Sequence, residues 1–208
     1  MTCKHEYTLE LQSEKIVIED ALFIFNNDGR DVVGRMTEFN GSNNKRIYKT
    51  SYLGSKILNI IENISLPVCE SVGTYAFQHC SKLTSANLPK CISVGYGAFY
   101  YCTALTSIDL PVCESIDGGA FEYCSALTSI DLPKCTTVGD FAFNSCSKLT
   151  SVILRSTNQA KLDSTNAFNN CSALTGIYVP DSLVSQYKAA TNWSIYAAKI
   201  KPLSELPV

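Results

Sequence analysis

Apolar residues recur along this chain with a long fixed period. Leu66-Pro67, Leu88-Pro89, Leu110-Pro111 and Leu132-Pro133 follow at a constant step of 22, and Leu154 continues the series with Arg155 in place of proline. Phe77, Phe99, Phe121 and Phe143 keep the same step of 22, and Phe168 comes after 25, which places a three-residue insertion within 156–165. Three residues after each Phe stands a cysteine (Cys80, Cys102, Cys124, Cys146, Cys171), and three after each cysteine a leucine (Leu83, Leu105, Leu127, Leu149, Leu174). Self-similarity at a period of about 20 to 50 residues is the mark of stacked repeats.

Each period contains two local patterns. In Leu105-Thr-Ser-Ile-Asp-Leu110, Ile108 and Leu110 stand two apart, the alternation of a strand with one buried face. Phe121, Cys124 and Leu127 are spaced by three, which suits a helical or tighter 3₁₀-like turn with one face inward. One strand and one turn cannot bury their own apolar face, but stacked copies can, as a solenoid. The expected strands are six: 61–66, 83–88, 105–110, 127–132, 149–154 and 174–179.

The ends depart from the repeat, which divides the chain into 1–57, 58–179 and 180–208. In the first part, Tyr7–Leu11, Lys15–Glu19, Leu22–Phe25, Val32–Met36 and Arg46–Thr50 read as strands, with turns at Asn26–Gly29 and Asn40-Gly41. This predicts a β-rich N-terminal cap, or else a module that attaches the solenoid to a larger assembly. After Pro180, Asp181 or Ser182 can cap a helix that buries Leu183, Val184 and Tyr187. A second helix from Trp193 would bury Tyr196, Ala197 and Ile200 and stop at Pro202, giving a helical C-terminal cap.

Composition narrows the function. The chain of 208 residues is 46% hydrophobic and 17% charged, the balance of a folded domain. Its net charge is −2, and no stretch concentrates Lys and Arg, so nucleic acid is not an expected partner. No apolar run reaches the roughly 20 residues of a membrane helix, and the polar N-terminus has no leader-like core. No membrane partner is expected.

The units around Leu110-Pro-Val-Cys-Glu-Ser-Ile-Asp-Gly-Gly-Ala-Phe-Glu-Tyr-Cys-Ser-Ala-Leu-Thr-Ser-Ile-Asp131 resemble the BspA-like class of bacterial leucine-rich repeats. The resemblance covers about residues 58–180, with four consecutive units matching at nearly every marked position. It implies a leucine-rich-repeat solenoid, with a parallel sheet of about six strands and short helical turns opposite. It also implies a surface or adhesive role and no enzyme. The C-terminal tail is similar to that of repeat proteins from gut bacteria and their phages.

Ten cysteines invite a disulfide or metal reading. Cys69, Cys91, Cys113 and Cys135 form one ladder and Cys80 through Cys171 a second, so the thiols lie along lines and do not converge on a point. Successive members stand about one strand spacing apart, ~4.8 Å. Their Cβ vectors run parallel, which leaves the Cβ atoms too far apart for the ~3.8 Å of a bridge. Free, buried thiols are therefore expected, with no disulfide, metal or cofactor. His5 and His79 are the only histidines and lie in different regions, so no catalytic residue is nominated. Gly73, Gly95 and Gly139 are read as corner residues with positive φ or a tight turn.

Surface remains. The residues flanking the inner position of each strand should point outward: Ser85 and Asn87, Ser107 and Asp109, Ser129 and Asp131, Ser151 and Ile153, Gly176 and Tyr178. A second face gathers the variable pairs after each Phe, among them Tyr100-Tyr101 and Glu122-Tyr123, with Tyr75 and Tyr96. The candidate binding residues are thus Tyr75, Tyr96, Tyr100, Tyr101, Tyr123, Ser107, Asp109, Ser129 and Asp131, for a protein or glycan ligand. The expected function is a non-catalytic binding or structural module of a phage particle or mobile element. A bacterial surface adhesin is the alternative, and an enzyme with a site near His5 or Asp20 the reading from another class.

Overall fold

A computed structural model describes residues 6–11, 15–19, 38–40, 45–48, 61–67 and 69–207. Leu22–Phe25, Val32–Met36, the Asn26–Gly29 turn, His5 and Asp20 lie outside them.

The repeats coil into a parallel-strand solenoid in which each coil carries a long strand, a short strand and a run of tight turns. The long strands are Ile61–Ser65, Ser85–Asn87, Ser107–Asp109, Ser129–Leu132, Ser151–Leu154 and Gly176–Val179. They pair in register with the coil before, Ser85 against Ser107 and Ser129 against Ser151, so one period returns each residue to its own column. The pairing breaks between Ser107–Asp109 and Ser129–Leu132, and the long strands form two sheets.

A second ladder was not foreseen in the sequence pattern. Ser71–Val72, Ser93–Val94, Ser115–Ile116, Thr137–Val138 and Lys161–Leu162 pair in parallel as two-residue strands.

The segment after it takes the tighter of the two expected turns and excludes an α-helical one. Ala120, Glu122 and Cys124 donate their N–H to the carbonyls three residues back, those of Asp117, Gly119 and Phe121. Gly119, Phe121 and Tyr123 instead donate across to Asp140, Ala142 and Asn144 of the next coil. Every second amide is thus used between coils, which an α-helix with its own i to i−4 bonds cannot allow. The alternation is accommodated by left-handed residues, Gly119 at φ 59° and Tyr123 at φ 62°.

The core is a set of columns. Phe77, Phe99, Phe121, Phe143 and Phe168 stack with ring centroids 5.3 to 5.5 Å apart. Leu83, Leu105, Leu127, Leu149 and Leu174 line another column, all buried. Apolar stacking of this kind contributes most of the stability of a repeat protein.

At the N-terminal side Glu6–Leu11 pairs antiparallel with Ile61–Ser65 and with Lys15–Glu19. Glu38–Asn40 and Lys45–Tyr48 form a second antiparallel pair, and Lys45–Tyr48 runs parallel to Ser71–Val72. Both ladders therefore meet further strands at this end, where an open edge would invite association.

At the other end the described segment lies over the last coil. Trp193 is buried on Phe168, and its indole N–H donates to Ala160 O at 2.8 Å. The Tyr187 hydroxyl accepts the Ala160 N–H at 2.7 Å. The first helix is short, Val184–Ala189. Asp181 does not cap it, because its carboxylate accepts the Ser204 N–H at 3.1 Å. The second predicted helix shrinks to a 3₁₀ turn at Ser194–Tyr196, and Ile200–Pro202 is a strand beside Gly176–Val179. Pro202 sits on an edge strand, where its missing N–H is tolerated.

Candidate binding surface

The cysteines belong to the packing. All nine in the described residues are free and buried. Cys102, Cys124, Cys146 and Cys171 donate their thiol to the carbonyls of Phe77, Phe99, Phe121 and Phe143 at 3.0 to 3.2 Å, one coil back. Cys69, Cys91, Cys113 and Cys135 donate to the carbonyl two residues ahead at 3.1 to 3.3 Å. Burial pushes the Cys135 thiol up to about 11 and the Cys171 thiol up to about 12. Among the described residues no cluster of His, Cys, Asp or Glu could hold a metal ion. None of their helices is long and apolar enough to cross a membrane.

Gly95 and Gly139 open tight turns as expected, their carbonyls accepting the Ala98 and Ala142 N–H at 3.1 and 3.3 Å, but without positive φ. A Cβ on Gly95 would stand 2.9 Å from Val72 O, and one on Gly139 2.5 Å from Gly118 N, so both are required by the close approach of the preceding coil. Positive φ falls at Gly97 and Gly119 instead.

On the strand face, Ser107, Asp109 and Ser129 are exposed. Asp131 is engaged already: its carboxylate takes the Arg155 side chain, Nε at 2.9 Å and the terminal nitrogen at 2.8 Å. Gly176 and Tyr178 do not point outward. The Tyr178 ring folds across Gly176, with Lys201 Nζ 6.0 Å from its centroid, and both residues are buried.

The turn side collects the tyrosines. Tyr101 stacks on Tyr123 with centroids 4.3 Å apart, and Tyr100 meets Tyr101 at 4.8 Å and Tyr123 at 5.8 Å. His79 extends the group, its ring 5.1 Å from Tyr101. Tyr75 and Tyr96 meet edge to face at 5.4 Å and are 44% and 51% exposed. Gly97 and Gly118 leave room for these rings: a Cβ on Gly97 would stand 2.6 Å from Tyr75 Cδ1, and one on Gly118 3.1 Å from Tyr96 Cδ2. Tyr100, Tyr101 and Tyr123 are half-buried by one another and by the coils. Partial burial raises the Tyr75 and Tyr100 phenols, with the Glu122 carboxylate adding to it.

Glu122 and Asn144 join this surface, although neither stood out beyond its place in a variable pair. Asn144 is 94% buried, since its exposure is 6%, and its amide donates to Glu122 Oε1 at 2.7 Å. Only the cross-coil register brings these two together, 22 residues apart.

This architecture is that of a leucine-rich-repeat solenoid, a class whose fold serves typically in non-enzymatic binding. The chain belongs to the family described as the BspA type leucine rich repeat region, which it matches in six copies over residues 45–175. The match begins ahead of residue 58, in keeping with the parallel pairing of Lys45–Tyr48. The chain is similar to the crystal structure of a leucine rich repeat protein from T. pallidum, with 28% identity and a TM-score of 0.52 over 56% of this chain and 58% of that one. A leucine-rich repeat protein from Bacteroides ovatus is similar at 25% identity and a TM-score of 0.53, over 69% of this chain and 42% of that one. The chain thus spans about half the length of these solved relatives. A comparison with curated proteins finds no match.

Proposed function

We propose that this chain is a non-catalytic recognition module that takes a protein or glycan ligand on the tyrosine-bearing turn side of the solenoid. One observation carries the choice of face. His79, Tyr101 and Tyr123 occupy left-handed backbone at φ 60° to 63°, where the same column holds Ser145 and Asn170 in later coils. Left-handed backbone costs a bulky residue about 1 kcal/mol or more, and Asn tolerates it best after glycine. Three aromatic rings at strained, half-exposed positions are poor choices for folding and good ones for contact.

The strand face supports the second half of the candidate set less well. Asp131 is neutralised by Arg155, which leaves Ser107, Asp109 and Ser129 as a flat polar ribbon. A glycan array and photo-crosslinking with wild type, Tyr100→Ala/Tyr123→Ala and Ser107→Ala/Ser129→Ala decide between faces. Loss of the ligand signal in the tyrosine variant alone is expected. Loss in the serine variant alone rejects this reading.

The assembly we favour is a phage particle or related mobile element, on the likeness of the C-terminal tail, with residues 1–57 attaching the solenoid and 180–208 covering its last coil. A bacterial surface adhesin is the alternative, supported by the family's presence in bacterial repeat proteins. An antibody to the chain that labels purified particles favours the first, and one that labels intact cells the second.

A further inference from the structure

We infer that the turn side binds a basic protein segment, seating an arginine side chain among Tyr75, Tyr96 and Tyr100 against the Glu122 carboxylate. The inference rests on the tyrosine-face reading above and narrows its ligand to a cationic polypeptide.

Charge along the solenoid is segregated. Between Lys90 and Lys134 there is no Lys or Arg, while Asp109, Glu114, Asp117, Glu122 and Asp131 all fall there. These residues make the two middle coils, the ones that supply Tyr96, Tyr100, Tyr101 and Tyr123. Of these carboxylates only Asp131 has an ion-pair partner among the described residues. Acidic and aromatic residues therefore share these two coils, Glu122 on the tyrosine side and Asp109 and Asp131 on the strand face, where Arg155 reaches Asp131 from the next coil. Complementary charge of this kind selects partners and speeds their encounter.

Glu122 is held in place within these coils. The buried Asn144 amide fixes one of its oxygens, and Asn144 is itself braced by Asn170 at 3.3 Å. The other oxygen, Oε2, lies over Gly119, 3.2 Å from where a side chain there would begin. A fixed carboxylate accepts a planar guanidinium without first losing rotamer freedom. Tyrosine ring faces attract the same cation, and Tyr75 and Tyr96 are exposed rings on this side. Neutral sugar would use the rings but leave the carboxylates without a role, which is why a basic polypeptide is preferred.

The test is calorimetric titration of the full chain with an oligoarginine peptide, and with an oligolysine peptide of equal length, at about 0.15 M salt. Glu122→Gln keeps size and shape, and Tyr75→Ala removes an exposed ring. Binding of oligoarginine more tightly than oligolysine is expected. Glu122→Gln and Tyr75→Ala should each weaken it about tenfold. Asp163→Asn, an acid outside these coils, should have no effect. Equal loss in Glu122→Gln and Asp163→Asn, or no detectable oligoarginine binding, overturns the inference. If the peptide fails to bind while the Tyr100→Ala/Tyr123→Ala variant still loses its ligand signal, the tyrosine face stands and only the cationic partner falls. Unaltered circular dichroism of each variant separates lost binding from lost fold.

Discussion

At Tyr101 and Tyr123 the backbone takes φ of 60° and 62°, and each ring gains a stacked partner in return. Strain of about 1 to 2 kcal/mol per left-handed residue is set against about 0.5 to 1.5 kcal/mol for an aromatic pair. Tyr123→Asn should therefore leave the stability in urea within about 1 kcal/mol of wild type while removing the ligand signal. A loss near that expected for Phe121→Ala, about 3 to 5 kcal/mol, would mean that Tyr123 is core.

The cysteines give the residue scale a pH signature. Burial raises Cys135 from an ordinary 9.0 to about 11 and Cys171 from 9.0 to about 12. Between those values the unfolded thiols release protons that the folded ones keep, so the stabilisation is complete below pH 9 and is lost as pH rises through the folded values. Each such thiol contributes a slope of about 1.4 kcal/mol per pH unit. The urea midpoint should fall clearly between about pH 8 and about pH 10.5; a constant midpoint would contradict the buried ladders. The Phe, Leu and Cys columns were legible in the spacing alone. The left-handed tyrosines were not, because positive φ is expected of glycine; of the positive φ or tight turn expected at Gly95 and Gly139 only the turn is present, and coil contact adds a second need for glycine.

At the scale of the element, each coil is bonded to its neighbours through three ladders, so a whole period is the unit that can be removed. Excising residues 105–126 joins Ala104 to Leu127 in the same register and should leave a shorter solenoid that unfolds cooperatively. Excising 105–115 breaks the register and should abolish the cooperative transition, as read by thermal circular dichroism. Gly139→Ala tests the spacing between coils. Its methyl would meet Gly118 N at 2.5 Å and Asp117 C at 2.6 Å, both backbone atoms, and a loss of several kcal/mol (about 2 to 4) is expected in urea.

The six long strands were visible because alternate apolar residues mark them. The short ladder was invisible: a two-residue strand such as Ser93–Val94 has no alternation to detect. Ile200–Pro202 was taken for the end of a helix because one apolar residue, Ile200, fits a period of two as well as one of 3.6. The Asp131–Arg155 pair needed the cross-coil geometry, since the partners lie 24 residues apart.

For the whole molecule, the thiols are structural, and the proposed function puts the ligand on the tyrosine band. Removal of 181–208 would uncover Phe168 and the edge of Gly176–Val179, and the truncated chain should self-associate in sedimentation velocity. Legibility at this scale stops at the surface. The tyrosines could be nominated from the repeat columns, but their contact with Glu122, anchored by Asn144, could not. Counting thiols with a chromogenic disulfide reagent, before and after unfolding, tests whether the repeats form a solenoid with its thiols inside. The nine ladder cysteines should be silent in the native protein, and all should react once it is unfolded without reductant. Rapid native reaction of several, or fewer than nine ladder thiols on unfolding because some are bridged, would contradict it.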